Sequence, residues 1–120
     1  MKQVLFLLSA WLWASLSFAQ SPEWKQVQSP GKASLRGLSP ISEQVCWASG
    51  SGGTWLKTED GGASWQTGTV AGLDTVDFRS IHAFDAQTAV AASAGQPAVI
   101  YRTEDGGKNW NKVHQEGGEA

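Results

Sequence analysis

Eight residues, Thr58-Glu59-Asp60-Gly61-Gly62-Ala63-Ser64-Trp65, return 45 positions later as Thr103-Glu104-Asp105-Gly106-Gly107-Lys108-Asn109-Trp110, with six of the eight identical. A repeat of this period means that one supersecondary unit is used twice. Four short strands in about 45 residues is the period of a β-propeller blade. Gly, Ser, Thr and Trp are spread throughout, and apolar residues do not recur at helical spacing over any useful window. The chain is therefore expected to be all-β: two four-stranded antiparallel blades of an incomplete ring.

The first unit predicts strands at Ser34–Leu38, Gln44–Ser49, Thr54–Thr58 and Ser64–Val70. The second predicts them at Asp77–Phe84, Thr88–Ser93, Ala98–Thr103 and Asn109–His114. Leu35-Arg36-Gly37-Leu38 matches Phe78-Arg79-Ser80-Ile81, and Leu56-Lys57 matches Tyr101-Arg102. Aligning Val45–Gly50 with Val90–Gly95 puts two extra residues between the first and second strands of the later unit. A further fragment, Trp24-Lys25-Gln26-Val27, matches Trp110-Asn111-Lys112-Val113 and reads as the last strand of a preceding or ring-closing blade. The organisation expected is a leader over 1–19, that strand within 20–33, blades over 34–72 and 73–114, and an inter-blade loop or truncated end over 115–120.

The repeated turn has a physical rationale. An Asp carboxylate can accept backbone N–H groups a few residues on, and paired glycines supply positive φ without a Cβ penalty. The Thr hydroxyl can bond back across the loop, and a closing Trp buries a large ring whose N–H seeks a carbonyl. Thr58, Asp60, Gly61, Gly62 and Trp65, with Thr103, Asp105, Gly106, Gly107 and Trp110, are therefore read as structural fasteners. A calcium loop needs alternating oxygen ligands over about twelve residues, which this turn lacks.

Both copies satisfy Ser/Thr-x-Asp-x-Gly-x-x-Trp, the Asp-box or bacterial neuraminidase repeat. With its Gly-Gly turn and the apolar-Arg-small-apolar strand upstream, the chain resembles the photosystem II stability/assembly factor-like propellers over most of residues 24–114. The resemblance implies a non-catalytic, extracytoplasmic scaffold that binds a protein partner. Such propellers close rings of about seven blades. Two blades and a strand thus imply that the remaining blades, or other copies of the chain, complete the ring.

The ends and the charge agree with that address. Lys2 and the apolar run Val4–Leu16, followed by Ser17-Phe18-Ala19, form a secretory signal cleaved before Gln20. A membrane anchor would need about 20 apolar residues and a basic stop. Without Lys2, eight basic residues stand against eleven acidic ones, a net of −3. With no basic stripe, nucleic acid is not an expected partner. Cys46 is the only cysteine, so no internal disulfide is possible, and no Cys follows the apolar leader to carry a lipid. Cys46 is expected to be a buried, inert thiol.

Arg36 and Arg79 are the candidate partner-binding residues. They occupy the same place in two successive first strands, which line a propeller's channel, and could hold a carboxylate or an acidic tail bidentately. The blander role is a stem packed between blades with its head on a nearby acid such as Asp77. The enzymatic rival is a sialidase-like or glycan-binding propeller. Its Arg-Ile-Pro signature is absent, and two blades cannot place two carboxylates across a pocket. His82 and His114 have no ligand at zinc spacing, so no metal or other cofactor is expected.

Overall fold

A computed structural model describes residues 23–117, and the leader expected over 1–19 lies outside them. Eight strands form two antiparallel sheets in simple meander order. The first holds β1 (Leu35–Pro40), β2 (Cys46–Gly50), β3 (Thr54–Thr58) and β4 (Gln66–Thr69). The second holds β5 (Phe78–Ala83), β6 (Ala89–Ser93), β7 (Ala98–Thr103) and β8 (Asn111–Glu116). Each sheet is one blade, and β1 packs beside β5 as the inner strands of neighbouring blades.

Three expectations are corrected. Residues 24–27 join no strand ladder, and Trp24 is fully exposed. Neither sheet of the described residues takes them up as a fifth strand. At the other end Gln115 and Glu116 continue β8 instead of starting a loop. The two extra residues of the second blade also lie elsewhere. Leu38 pairs with Ala48 as Ile81 pairs with Ala91, so both inner strands align at a spacing of 43. Ala48 pairs with Leu56 and Ala91 with Tyr101, a spacing of 45 from the third strand on. The insertion therefore sits in the β6–β7 connection, which contains the cis Gln96–Pro97 bond.

The core is the seam between the sheets. Trp47 on β2 and Trp55 on β3 face Phe78, Ile81, Ala83, Ala89 and Ala91 of the second sheet, with Trp110 packed against them. The ring centroids of Trp47 and Trp55 lie 6.1 and 6.2 Å from Trp110, the first pair edge-on at 86°. Three alanines on β5 and β6 leave room for these rings, so large faces small across the seam. Gly37 serves the same end on the inner strand: a Cβ there would stand 3.0 Å from the Ser80 Cα. The linker folds back on the seam, where Gly53 N–H donates to the Val76 carbonyl at 2.7 Å and Val70 N–H to the Gly53 carbonyl at 2.9 Å.

Candidate functional site

The repeated turns behave as fasteners in atomic detail. Thr58 Oγ1 donates to Asp60 Oδ1 at 2.8 Å and accepts the Gly62 N–H at 2.9 Å. Asp60 also accepts from both the backbone N–H and the hydroxyl of Ser64. In the second copy Thr103 Oγ1 donates to Asp105 Oδ1 and accepts the Gly107 N–H, each at 2.9 Å. Asn109 donates to Asp105 through its backbone N–H at 2.9 Å and its amide at 2.8 Å. The substitution of Ser64 by Asn109 keeps both donors, which is why that position of the motif can vary. The glycine pairs carry φ of 70° and 92° in one turn and 75° and 97° in the other. The closing indoles depart from expectation, since neither Trp65 nor Trp110 Nε1 finds a hydrogen-bond partner among the described residues.

These bonds favour the ionised carboxylates. The Ser64 hydroxyl and N–H, then Thr58, hold Asp60 down to about 2 from an ordinary 3.8. The Asn109 N–H and amide, then Thr103, do the same for Asp105. A depressed folded pKa gives stability that is complete above the unfolded value and is lost as pH falls through the folded one. The thermal midpoint is therefore expected to decline between about pH 4 and pH 2. Asp60→Asn and Asp105→Asn should flatten that decline, and an identical slope in the double variant would refute the assignment.

Arg36 and Arg79 share a local geometry that their sequence match did not reveal. The β1–β2 register jumps from Leu35–Gly50 to Gly37–Ser49, leaving Arg36 as the extra residue of a β-bulge. The β5–β6 register jumps from Phe78–Ser93 to Ser80–Ala92, leaving Arg79 in the same position. A bulge re-aims its extra side chain away from the ladder alternation. Both arginines are exposed. Neither forms a hydrogen bond or ion pair among the described residues. The expected pairing with Asp77 is not made, as Asp77 Oδ1 instead accepts the Gly52 N–H at 3.4 Å. Because β1 and β5 nearly touch at Gly37 and Ser80, the two bulges stand on neighbouring strands at the inner edge.

The remaining candidates resolve as packing. Trp55 is buried in the seam and Trp47 fully so, its Nε1 donating to the Asp85 carbonyl at 3.1 Å. Cys46 is only half-buried, and burial raises its thiol, which donates to the Trp47 carbonyl at 3.6 Å. His82 is exposed and packs edge-on to Phe84, with centroids 4.9 Å apart. No cluster of three metal-ligating side chains occurs among the described residues.

Lys57 is the residue whose role sequence reasoning missed. Its side chain is only 4 % exposed, yet its ammonium is paired across the seam. It donates to the carbonyls of Ala86 and Gly106, both at 3.1 Å, and sits 5.1 Å from the Trp47 ring centroid. A cation removed from water needs such acceptors, and here they come from the other blade's loops. The signal was a cation at the same place in both repeats, Lys57 and Arg102.

Comparison with known proteins agrees with this architecture. The sequence model of the family described as "Photosynthesis system II assembly factor YCF48" matches residues 16–117. The "Photosystem II assembly lipoprotein Ycf48" of Synechococcus sp. (strain CC9902) is 30% identical over 95 residues, 79% of this chain. The chain spans only 28% of that relative's length. A solved structure titled "YCF48 bound to D1 peptide" superposes with a TM-score of 0.65 at 24% identity, over 82% of this chain and 32% of its own. "YCF48 from Cyanidioschyzon merolae" superposes with a TM-score of 0.58 at 27% identity, over 78% of this chain and 27% of its own. The sialidase alternative is thereby set aside at the level of family, and the two blades with their Asp-box turns belong to the YCF48 photosystem II assembly factor family.

Proposed function

We propose that these blades serve a non-catalytic, extracytoplasmic scaffold that binds a protein partner through Arg36 and Arg79. The observation that carries this is the pair of exposed, unpaired guanidinium groups on equivalent bulges of neighbouring inner strands. A planar guanidinium fork suits a carboxylate, so the partner segment is an acidic tail or a free C-terminus. The family description and the relative solved with a D1 peptide support a polypeptide ligand. The address rests on the leader expected at residues 1–19. No helix among the described residues is long and apolar enough to cross a membrane.

The test is binding of a peptide with a free C-terminal carboxylate, measured beside its amidated form. Arg36→Ala/Arg79→Ala should weaken the free-acid peptide tenfold or more, in line with about 1.5–3 kcal/mol for a charged hydrogen bond. The double Lys variant should recover only part, because it restores charge without the fork. Equal binding by wild type and the Ala variant would overturn the assignment.

A further inference from the structure

Each copy of the repeated turn contains an Asp-Gly bond, Asp60–Gly61 and Asp105–Gly106. Such a linkage is the one at which a polypeptide most readily rearranges. The glycine nitrogen attacks the aspartate Cγ, a C–N bond forms, and the amide proton and carboxyl OH leave as water, closing a succinimide ring. Glycine permits this because no Cβ shields its nitrogen or restricts its backbone. Water then opens the ring at either carbonyl, returning aspartate or leaving isoaspartate, in which the backbone runs through the side chain. The route needs an amide nitrogen free to shed its proton. It also needs a carboxyl group free to protonate and turn back onto that nitrogen.

The fold denies both. Gly61 N–H donates to the Gln44 carbonyl at 3.0 Å, and Gly106 N–H to the Gln87 carbonyl at 2.9 Å. These carbonyls lie in the β1–β2 and β5–β6 connections, which are themselves pinned. Ser42 Oγ accepts the N–H groups of Gln44 and Val45, and Asp85 Oδ1 those of Gln87 and Thr88. Different residues thus build the same clamp in the two blades, outside the eight residues of the motif. The carboxyl groups are turned forward, Asp60 onto Ser64 and Asp105 onto Asn109, with Thr58 and Thr103 holding the near side. The same bonds keep them ionised, and an ionised carboxylate has no good leaving group for acyl substitution. In the second turn Gly106 is buried and its carbonyl accepts from Lys57, so the seam fixes the other side of that residue.

We infer that the repeated turn and the connection clamped onto it form a chemical lock that holds two latent isomerisation sites, Asp60–Gly61 and Asp105–Gly106, shut. What the lock guards is register. Isoaspartate inserts an extra backbone atom just ahead of the paired glycines, and the bonds from Gly62 N–H to Thr58 and from Gly107 N–H to Thr103 would not close across the longer loop.

Prolonged incubation of the chain at neutral pH, with isoaspartate at each site read by peptide mapping, tests this. Both sites should convert at least about tenfold more slowly in the folded chain than in the chain unfolded in urea. Asn109→Ala should speed conversion at Asp105 severalfold and leave Asp60 of the same molecules unchanged. Ser64→Ala should do the reverse. Asn109→Ser restores a donor of the kind that Ser64 provides and should return Asp105 to the wild-type rate. Hydrogen exchange should find the Gly61 and Gly106 amides protected. Equal rates in the folded and unfolded chains would overturn the inference. So would a single alanine variant that accelerates both sites or neither, a failure of Asn109→Ser to restore the rate, or rapid exchange at the two glycine amides.

Discussion

Trp47→Ala is expected to lower the stability of the chain by about 4 kcal/mol, within the range for a fully buried Trp. Trp47 is 0% exposed, and its ring meets Trp55 at 5.7 Å and Trp110 at 6.1 Å. Truncation removes those contacts and leaves a cavity lined by rigid rings that cannot collapse into it. Two polar consequences add to this. The Asp85 carbonyl loses the indole N–H, and the buried Lys57 ammonium loses the ring beneath it. Trp47→Phe keeps an aromatic face and should recover more than half of the loss. Urea unfolding followed by tryptophan fluorescence measures both. A loss below about 1 kcal/mol for the Ala variant would mean that the sheets do not depend on the seam.

That dependence follows from how a repeat array is built. Each sheet has two faces, and neighbour burial supplies most of the stability that one blade lacks. The seam places the cost of unfolding at Trp47, Trp55 and Lys57. The inner-edge arginines bury little of their own surface, so the core does not depend on them. The outer turns hold register through Asp60 and Asp105, and the second of them also abuts the seam at Gly106 and Gly107.

Much of this was legible in the sequence, and the residues that were not share a cause. The turn Thr58–Trp65 was readable because its bonds are local, within four residues of Asp60. The strand pairs followed from the same local punctuation. The bulges were overlooked although a signal existed: Leu35 and Leu38, like Phe78 and Ile81, stand three apart, and side chains that far apart share a face only if one residue is extra. The alignment of Val45 with Val90 failed because it rested on the opening valines and the closing Ser-Gly and Ala-Gly pairs, whereas register is set by pairing across the sheet. Trp65 and Trp110 are identical in motif but not in surroundings. One caps an open hollow and the other completes the seam, a difference that depends on the neighbouring blade. Lys57 escaped notice for the same reason, since both of its carbonyl acceptors lie far along the chain.

The glycine turns show that contrast as a measurable difference between equivalent substitutions. Gly62 and Gly107 hold the same place in the two turns, with φ of 92° and 97°. An alanine at either pays the left-handed backbone penalty, about 1 kcal/mol. At Gly62 that is nearly the whole cost, because an added Cβ would have nothing closer than the Trp65 and Val27 side chains at 3.8 Å. At Gly107 the same Cβ would meet the Trp55 ring at 2.7 Å. That ring is held between Trp47 and Trp110 and has no free rotamer to retreat into. Overpacking against a core aromatic adds about 2 kcal/mol. Gly107→Ala is therefore expected to destabilise the chain by about 3 kcal/mol and Gly62→Ala by about 1. Trp55→Leu in the Gly107→Ala background separates the two contributions, since shortening the opposing side chain should relieve the overpacking while leaving the backbone term. Equal losses for the two alanine variants would show that backbone strain alone governs both turns, and that the seam does not reach the second one.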